Sequence, residues 1–284
     1  RIMTGAPMPD GADTVVMVED TESEGDQVRI FEPTEAGKNC VPLGEDVREG
    51  DAVLKTPKRI RPPEVGTLAA VGVTSVPVYR RPVVGVVATG NEIVEPGDQP
   101  AMGQIRNSNG YSMATQVARA EAIPRYLGIA GDSVEDLRRV MQEGLDTCDV
   151  LLLSGGVSAG VYDLVQDVMR DLDITVKFDR IRMKPGKPLT FGTCGCKLVF
   201  GLPGNPVSTL VGFELLVRPA LRQMQAVSDP HLPRAQAILT SSFTQTPGRE
   251  QYVPAFSTYV NGQWSTRWVG HHGSADLFSI SEAN

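Results

Sequence analysis

Residues Val83-Val84-Gly85-Val86-Val87-Ala88 form an unbroken apolar run rich in β-branched side chains. Such a run has no polar face to give to water, so it suits a strand covered on both sides, as in a parallel sheet between helices. Tyr126–Ala130 and Val150–Leu153 have the same character. Helical spacing lies between and after them: from Tyr111 to Ala122 with Asn109 as cap, from Ser133, and from Asp163 to Leu172. Ser133 reads as an N-cap with Asp136 three residues on, close to a capping box. Further strands are expected near Val176–Phe178, Leu189–Phe191 and Leu198–Phe200, and a longer helix from Val207 to Met224. Strands alternating with helices predict right-handed βαβ crossovers and a three-layer α/β domain over residues 81–226.

The flanks differ. Residues 1–80 carry Gly- and Pro-punctuated short runs: strands are expected at Thr14–Val18, Gln27–Ile30 and Asp51–Leu54, and a short helix at Pro63–Val71. This predicts a small β-rich region without a clear core of its own. After Asp229-Pro230, the runs Ala235–Leu239, Gln251–Phe256 and Gln263–Val269 predict a small all-β domain over residues 227–284. The opening Arg1-Ile2-Met3-Thr4 reads neither as a signal peptide nor as a natural start, so both flanks are expected to be parts of a longer protein.

With 27 basic and 34 acidic residues the net charge is −7, which argues against a nucleic-acid or membrane-surface binder. No apolar run reaches the ~18 residues of a membrane span. Four cysteines are too few for a disulfide scaffold at 284 residues and fit a reducing cytoplasm. Cys194-Gly195-Cys196 lies in a turn between two strand-like runs and has no second ligand pair nearby, and His271-His272 is adjacent rather than spaced for a metal.

Ligands of open α/β sheets bind beyond the carboxyl ends of the strands. The residues just past each strand are therefore the most informative. Thr89-Gly90-Asn91-Glu92 succeeds the first strand, and Gly131-Asp132 the second. Ser154-Gly155-Gly156-Val157-Ser158-Ala159-Gly160, leading to Asp163, succeeds the third, and Pro203-Gly204-Asn205-Pro206 the last. Glycines let backbone N–H groups approach an anion, but the loop after the third strand lacks a P-loop lysine and is not a dinucleotide fingerprint. Glu92, Asp132 and Asp163 would converge on one edge, a donor set suited to Mg2+ and a phosphate-bearing substrate. Lys184-Pro185-Gly186-Lys187-Pro188, with Arg180 and Arg182 before it, is a rigid local cationic site in an acidic chain, suited to an oxyanion.

These stretches, taken in order, resemble the MoeA/gephyrin family. Ser154 to Asp163, Lys184–Pro188 and Gly201-Leu202-Pro203-Gly204-Asn205-Pro206-Val207-Ser208 resemble its molybdopterin-binding domain. Ala88-Thr89-Gly90-Asn91-Glu92 resembles its (S/A)TG(D/N)E motif, Thr4–Asp13 its TGAPxPxGAD segment, and Gly44-Glu45-Asp46 its GED segment. The resemblance implies an enzyme that takes adenylylated molybdopterin and molybdate with Mg2+, inserts molybdenum at the dithiolene and releases AMP. It implies a homodimer whose cleft lies between the α/β domain of one subunit and the small sheet domain of the other, and contact with the molybdopterin adenylyltransferase. Carried over by position, Glu92, Asp132 and Asp163 would line the site, Asp163 would hold the metal, and Thr4 and Asp46 would reach in from the second subunit. Lys184 and Lys187 would hold molybdate or phosphate oxygens. Thr89, Gly90, Ser154, Gly155, Gly156, Ser158, Pro203, Gly204, Asn205 and Pro206 would seat the pterin and its phosphate. Three departures stand out: the early MDGYA-like segment is absent, Val41-Pro42-Leu43 stands where the family carries arginines, and the chain stops at Ala283-Asn284. Two other readings share the α/β domain: the adenylyltransferase of the preceding step, and a non-catalytic gephyrin-like scaffold.

Overall fold

A computed structural model describes residues 1–156, 162–245, 247–270 and 272–284, and of Tyr162 and Asp163 the backbone alone. It forms two units, Arg1–Val76 and Pro77–Asn284.

In the first unit, β1 (Thr21–Glu24) and β2 (Gln27–Ile30) make an antiparallel hairpin with Thr21 opposite Ile30. Helix α1 (Pro62–Ala70) starts on a proline, which suits a first turn whose N–H groups have no helical partner. The Arg61 backbone N–H donates to Glu64 Oε2 at 2.9 Å and the Arg61 guanidinium to Glu64 Oε1 at 2.7 Å, closing the helix start. Thr14–Val18 is not the expected strand. Val15 bonds to a turn, its N–H donating to Lys38 O at 3.1 Å and its O accepting Asn39 Nδ2 at 2.8 Å, while Met17 O accepts the Asp20 N–H at 3.0 Å, so no ladder forms among the described residues; Val18–Asp20 is a 3-10 turn. Asp51–Leu54 also lacks a strand partner among the described residues, and Asp51 instead accepts the Arg48 N–H at 2.9 Å.

The second unit holds the main sheet. Its elements run β3 (Val83–Thr89), the short β4 (Ile93–Val94) and β5 (Ile105–Arg106), α2 (Asn109–Arg119), β6 (Ile123–Ala130), α3 (Val134–Thr147), β7 (Val150–Ser154) and α4 (Tyr162–Asp171). Then come β8 (Thr175–Arg180), β9 (Met183–Lys184), β10 (Pro188–Cys194), β11 (Lys197–Leu202), α5 (Pro206–Gly212) and α6 (Arg218–Met224). The last stretch adds β12 (Ile238–Leu239), β13 (Glu250–Gln251), β14 (Ala255–Val260), β15 (Gln263–Trp268) and α7 (Leu277–Ile280).

The main sheet has the order β6-β3-β7-β11-β10-β8. β6, β3, β7 and β11 are parallel neighbours. Side chains alternate between faces along each strand. Val84, Val86, Val150 and Leu152 face one core with α2, α5 and α6, while Val87, Leu151 and Leu153 face another with α3 and α4. That alternation, with all four β7 apolar residues at 1% exposure or less, is the three-layer architecture the unbroken runs predicted. β10 departs from the simple pattern: it runs antiparallel to both β8 and β11, and it joins β11 by a hairpin whose turn is Gly195-Cys196. Cys194-Gly195-Cys196 is thus turn chemistry, with Gly195 at φ +57°.

The expected long helix Val207–Met224 is interrupted. Phe213–Val217 forms a π-helical turn between α5 and α6. Pro219 offers no N–H to the Leu215 carbonyl and its ring would collide there, and a wider turn relieves both problems. In the C-terminal stretch β14 and β15 form a hairpin with β12 beside β15. Strand character there begins at Ile238 rather than Ala235. The expected strand Gln251–Phe256 is split: Gln251 ends β13, which pairs with β9, and Ala255 opens β14. No helix of the described residues is long and apolar enough to cross a membrane.

Candidate active site

The first crossover carries the chain from β3 to β6 on one side, and the next returns it to β7 on the other. The loops after β3 and β7 therefore leave adjacent strands in opposite senses, the arrangement that opens a crevice. The registers Ala88↔Ser154 and Leu202↔Ser154 bring the ends of β3, β7 and β11 level. Because β10 alone runs backwards, its first residue, Pro188, and the last residue of β8, Arg180, pair at the same edge. The Lys184–Lys187 loop between them is therefore at that edge too.

Short contacts tie these loops together. Thr89 Oγ1 donates to Ser154 O at 3.3 Å, and Gly155 N–H donates to Leu202 O at 3.2 Å. Gly155 sits at φ +99°, and a Cβ there would meet Thr89 O at 2.4 Å. Gly90, at φ +140°, donates its N–H to Ala130 O at 3.1 Å. Both N–H groups are thus spent inside the fold. These two glycines let the loops approach each other, and anion contacts must come from side chains and other amides.

Asp132 and Asn91 bridge the ends of β3 and β6. Asn91 N–H donates to Asp132 Oδ2 at 3.2 Å and Asp132 N–H to Asn91 Oδ1 at 3.0 Å. Asp132 Oδ1 is buried without a partner among the described residues. Ser133 caps α3 by accepting the Asp136 N–H at 3.1 Å, as expected. Glu92 is exposed, and its carboxylate lies against Gly90, where an added Cβ would meet Oε2 at 2.6 Å. The arm beyond Glu92 is pinned by Glu95, which accepts Tyr111 Oη at 2.8 Å and Tyr126 Oη at 2.5 Å. Burial, reinforced by Glu95, pushes the Tyr126 phenol up, and the Glu95 hydrogen bond does the same for Tyr111.

Asn109 is not the cap the sequence suggested. Ser108 holds the cap position with no side-chain cap bond, and Asn109 is the first residue of α2. Its amide turns instead into the crevice, where Nδ2 donates to Ser154 Oγ at 2.7 Å and to Gly204 O at 2.8 Å. Neither bond is visible in sequence, because the partners are 45 and 95 residues away. Asn205 Nδ2 donates to Ser274 Oγ at 2.8 Å and Val207 N–H to Ser274 O at 3.0 Å, so the C-terminal stretch braces the Pro203–Pro206 loop. Ser274 was likewise not legible.

Lys184 and Lys187 are exposed, and among the described residues neither ammonium has a hydrogen-bond or ion partner. Ile181 N–H donates to Lys187 O at 2.9 Å and closes the loop that carries them. Asp163 lies in the first turn of α4, and its side chain, like the whole of Ser158 and of His271, is outside the described residues. Gly156 has φ +65°. Thr4 and Asp46 belong to the first unit and are exposed, with Asp46 lining a cleft of about 660 Å3 beside Asp51, Lys55 and Thr67. Among the described residues no three His, Cys, Asp or Glu side chains gather as a metal cluster.

A mainly parallel α/β sheet with glycine loops at its switch point and polar side chains at the same strand ends has the arrangement in which such sheets bind small ligands. Residues 85–223 match the model of a probable molybdopterin binding domain, residues 1–72 that of the MoeA N-terminal region (domain I and II), and residues 236–284 that of the MoeA C-terminal region (domain IV). The chain is 35% identical over its whole length to the molybdopterin molybdenumtransferase of Bacillus subtilis, covering 67% of that protein. Over 92% of its length it is 38% identical to molybdopterin molybdenumtransferase 2 of Mycobacterium tuberculosis, covering 66% of it. The molybdopterin biosynthesis MoeA protein from Pyrococcus horikoshii superposes over 100% of the chain and 68% of its own length, with TM-score 0.80 and 29% identity. The chain thus spans about two thirds of the length of these relatives. It belongs to the MoeA family, the transferases of molybdenum cofactor biosynthesis.

Proposed function

We propose that this chain inserts molybdenum into the dithiolene of adenylylated molybdopterin and releases AMP. The observation that carries the reading is the convergence of the loops after β3, β6, β7 and β11 on one edge that also holds Lys184 and Lys187, exposed and, among the described residues, unpaired. Both substrates are anions, so fixed cations and donors must gather them. Lys184 and Lys187 attract molybdate and phosphate oxygens. Ser154, Thr89 and the glycine and proline loops at Gly155, Gly156, Pro203, Gly204, Asn205 and Pro206 form the wall against which the pterin and its phosphate rest.

Mg2+ fits this donor set. It needs only one or two carboxylates besides water and substrate phosphates, and Asp132 offers a buried oxygen with no partner among the described residues. Asp163, with Asp132 or Glu92, would hold it. The ion supplies charge neutralisation of the phosphoanhydride oxygens. The chain's own residues gather the two anions at one edge, with Lys184 and Lys187 as the cations that face them.

We further infer three segments, 1–80, 81–226 and 227–284, acting as a homodimer in which Thr4 and Asp46 complete the site of the second copy. Adenylylated pterin arrives by transient contact with the molybdopterin adenylyltransferase in the cytoplasm. The test is molybdate-dependent AMP release from adenylylated molybdopterin with Mg2+. Consumption of ATP to make adenylylated pterin would favour the adenylyltransferase reading, and capture of a receptor peptide without turnover the scaffold reading.

A further inference from the structure

We propose that Asn109 is a positioning residue that joins the two glycine loops of the crevice and turns the Ser154 hydroxyl toward the substrate. The inference rests on the reading of this crevice as the pterin site.

The orientation of the Asn109 amide is fixed by chemistry. Gly204 O can only accept a hydrogen bond, so the group 2.8 Å from it must be the NH2 and not the carbonyl oxygen. The NH2 has two protons. One goes to Gly204 O and the other to Ser154 Oγ at 2.7 Å. Asn109 Oδ1 then faces away, and it is buried with no partner among the described residues.

The first consequence is mechanical. Asn109 stands at the start of α2, Ser154 ends β7, and Gly204 lies just past β11, so one side chain sets the spacing of three elements. The two loops lie within van der Waals reach of each other: a Cβ on Gly204 would sit 3.5 Å from Gly155 Cα. The second concerns a proton. Ser154 is 3% exposed, and its oxygen already accepts the Asn109 proton. Among the described residues its own proton has no other acceptor, which leaves it for an anionic substrate in the crevice. A hydroxyl left free to rotate would split its proton among several directions, whereas one held as an acceptor on one side donates on the other.

Asn109→Asp tests both consequences at constant shape. A carboxylate cannot donate to Gly204 O, and it would draw the Ser154 proton inward. Three proteins, Asn109→Asp, Ser154→Ala and the double variant, are compared with the unmodified chain for affinity to adenylylated molybdopterin. Amide hydrogen exchange at Gly204 and Asn205, the two residues of the 203–206 loop that carry an N–H, is monitored without ligand. The expected results are a loss of affinity of about tenfold to a hundredfold for each single variant, no loss in the double variant beyond that of Asn109→Asp, and faster exchange at Gly204 and Asn205 with α3 unchanged. Additive losses, or affinity unchanged in Asn109→Asp, would overturn the proton-orienting role. Unchanged exchange at Gly204 and Asn205 would overturn the clamp, whatever the ligand does. If the unmodified chain does not bind the pterin at all, the functional reading fails, and the exchange result still decides the clamp.

Discussion

Asn91 and Asp132 hold each other across two strand ends, each backbone N–H bonded to the other's side-chain oxygen at 3.2 and 3.0 Å. The pair fixes one Asp132 oxygen and leaves the other buried and, among the described residues, unpaired. Shape and charge can therefore be separated. Asp132→Asn keeps an acceptor for Asn91 N–H but removes the charge, while Asp132→Ala removes both. The expected outcome is loss of turnover in both variants, with an additional stability loss of about 1 kcal/mol only in Asp132→Ala. Turnover retained in Asp132→Asn would mean that the carboxylate only shapes the loop.

Gly155 and Gly204 face each other but tolerate change differently. At Gly155 a Cβ would lie 2.4 Å from Thr89 O with φ at +99°, so Gly155→Ala is expected to cost at least ~2 kcal/mol in denaturant unfolding. At Gly204 the nearest atom would be an ordinary 3.5 Å away, so Gly204→Ala is expected to keep stability within about 1 kcal/mol. Its effect should instead be weaker pterin binding, because the added methyl stands on the crevice wall.

Lys184 and Lys187 are exposed and, among the described residues, unpaired, so folding draws little from their charge. Lys184→Met and Lys187→Met should leave the melting temperature nearly unchanged and raise the KM for molybdate by about tenfold each. The unmodified chain should lose apparent molybdate affinity as salt rises, and the variants less so, since screening acts on the charges they lack.

Asp149 anchors the start of the α/β unit. Its carboxylate accepts both arms of Arg80, at 2.6 and 2.5 Å, and the Val83 N–H at 2.8 Å. The Arg80 hydrogen bonds hold its carboxyl below the usual carboxylate range. A lowered folded value means that the stabilisation is fully present above the unfolded pKa of about 3.9 and fades as pH falls through the folded one. Asp149→Asn should therefore flatten the acid limb of the stability–pH curve below pH ~4, read by urea unfolding at stepped pH. An unchanged acid limb would assign the acid sensitivity elsewhere.

The strand runs and the loops after them were legible because burial on both faces leaves a mark in sequence: Val83–Ala88 and Val150–Leu153 admit no polar residue. Thr14–Val18 is a largely apolar run that has no strand partner among the described residues: Thr14 and Val15 bond to the turn at Glu35–Asn39 and Met17 to Asp20. The reversal of β10 was not legible either, since nothing local in Leu189–Phe191 records the direction of a neighbour. Within the crevice, Thr89, Asp132, Ser154 and Gly204 stand at strand ends and could be read off the chain. Asn109 could not: an Asn at a helix start usually caps it, and only the meeting of β7 and the loop after β11 gives its amide a different use.

The most direct measurement is AMP release from adenylylated molybdopterin by this chain with Mg2+, with and without molybdate. The account predicts AMP and molybdenum-loaded pterin in equal amounts, dependent on molybdate and abolished by Asp163→Ala. Release that proceeds equally without molybdate, or at the full rate in Asp163→Ala, would contradict it.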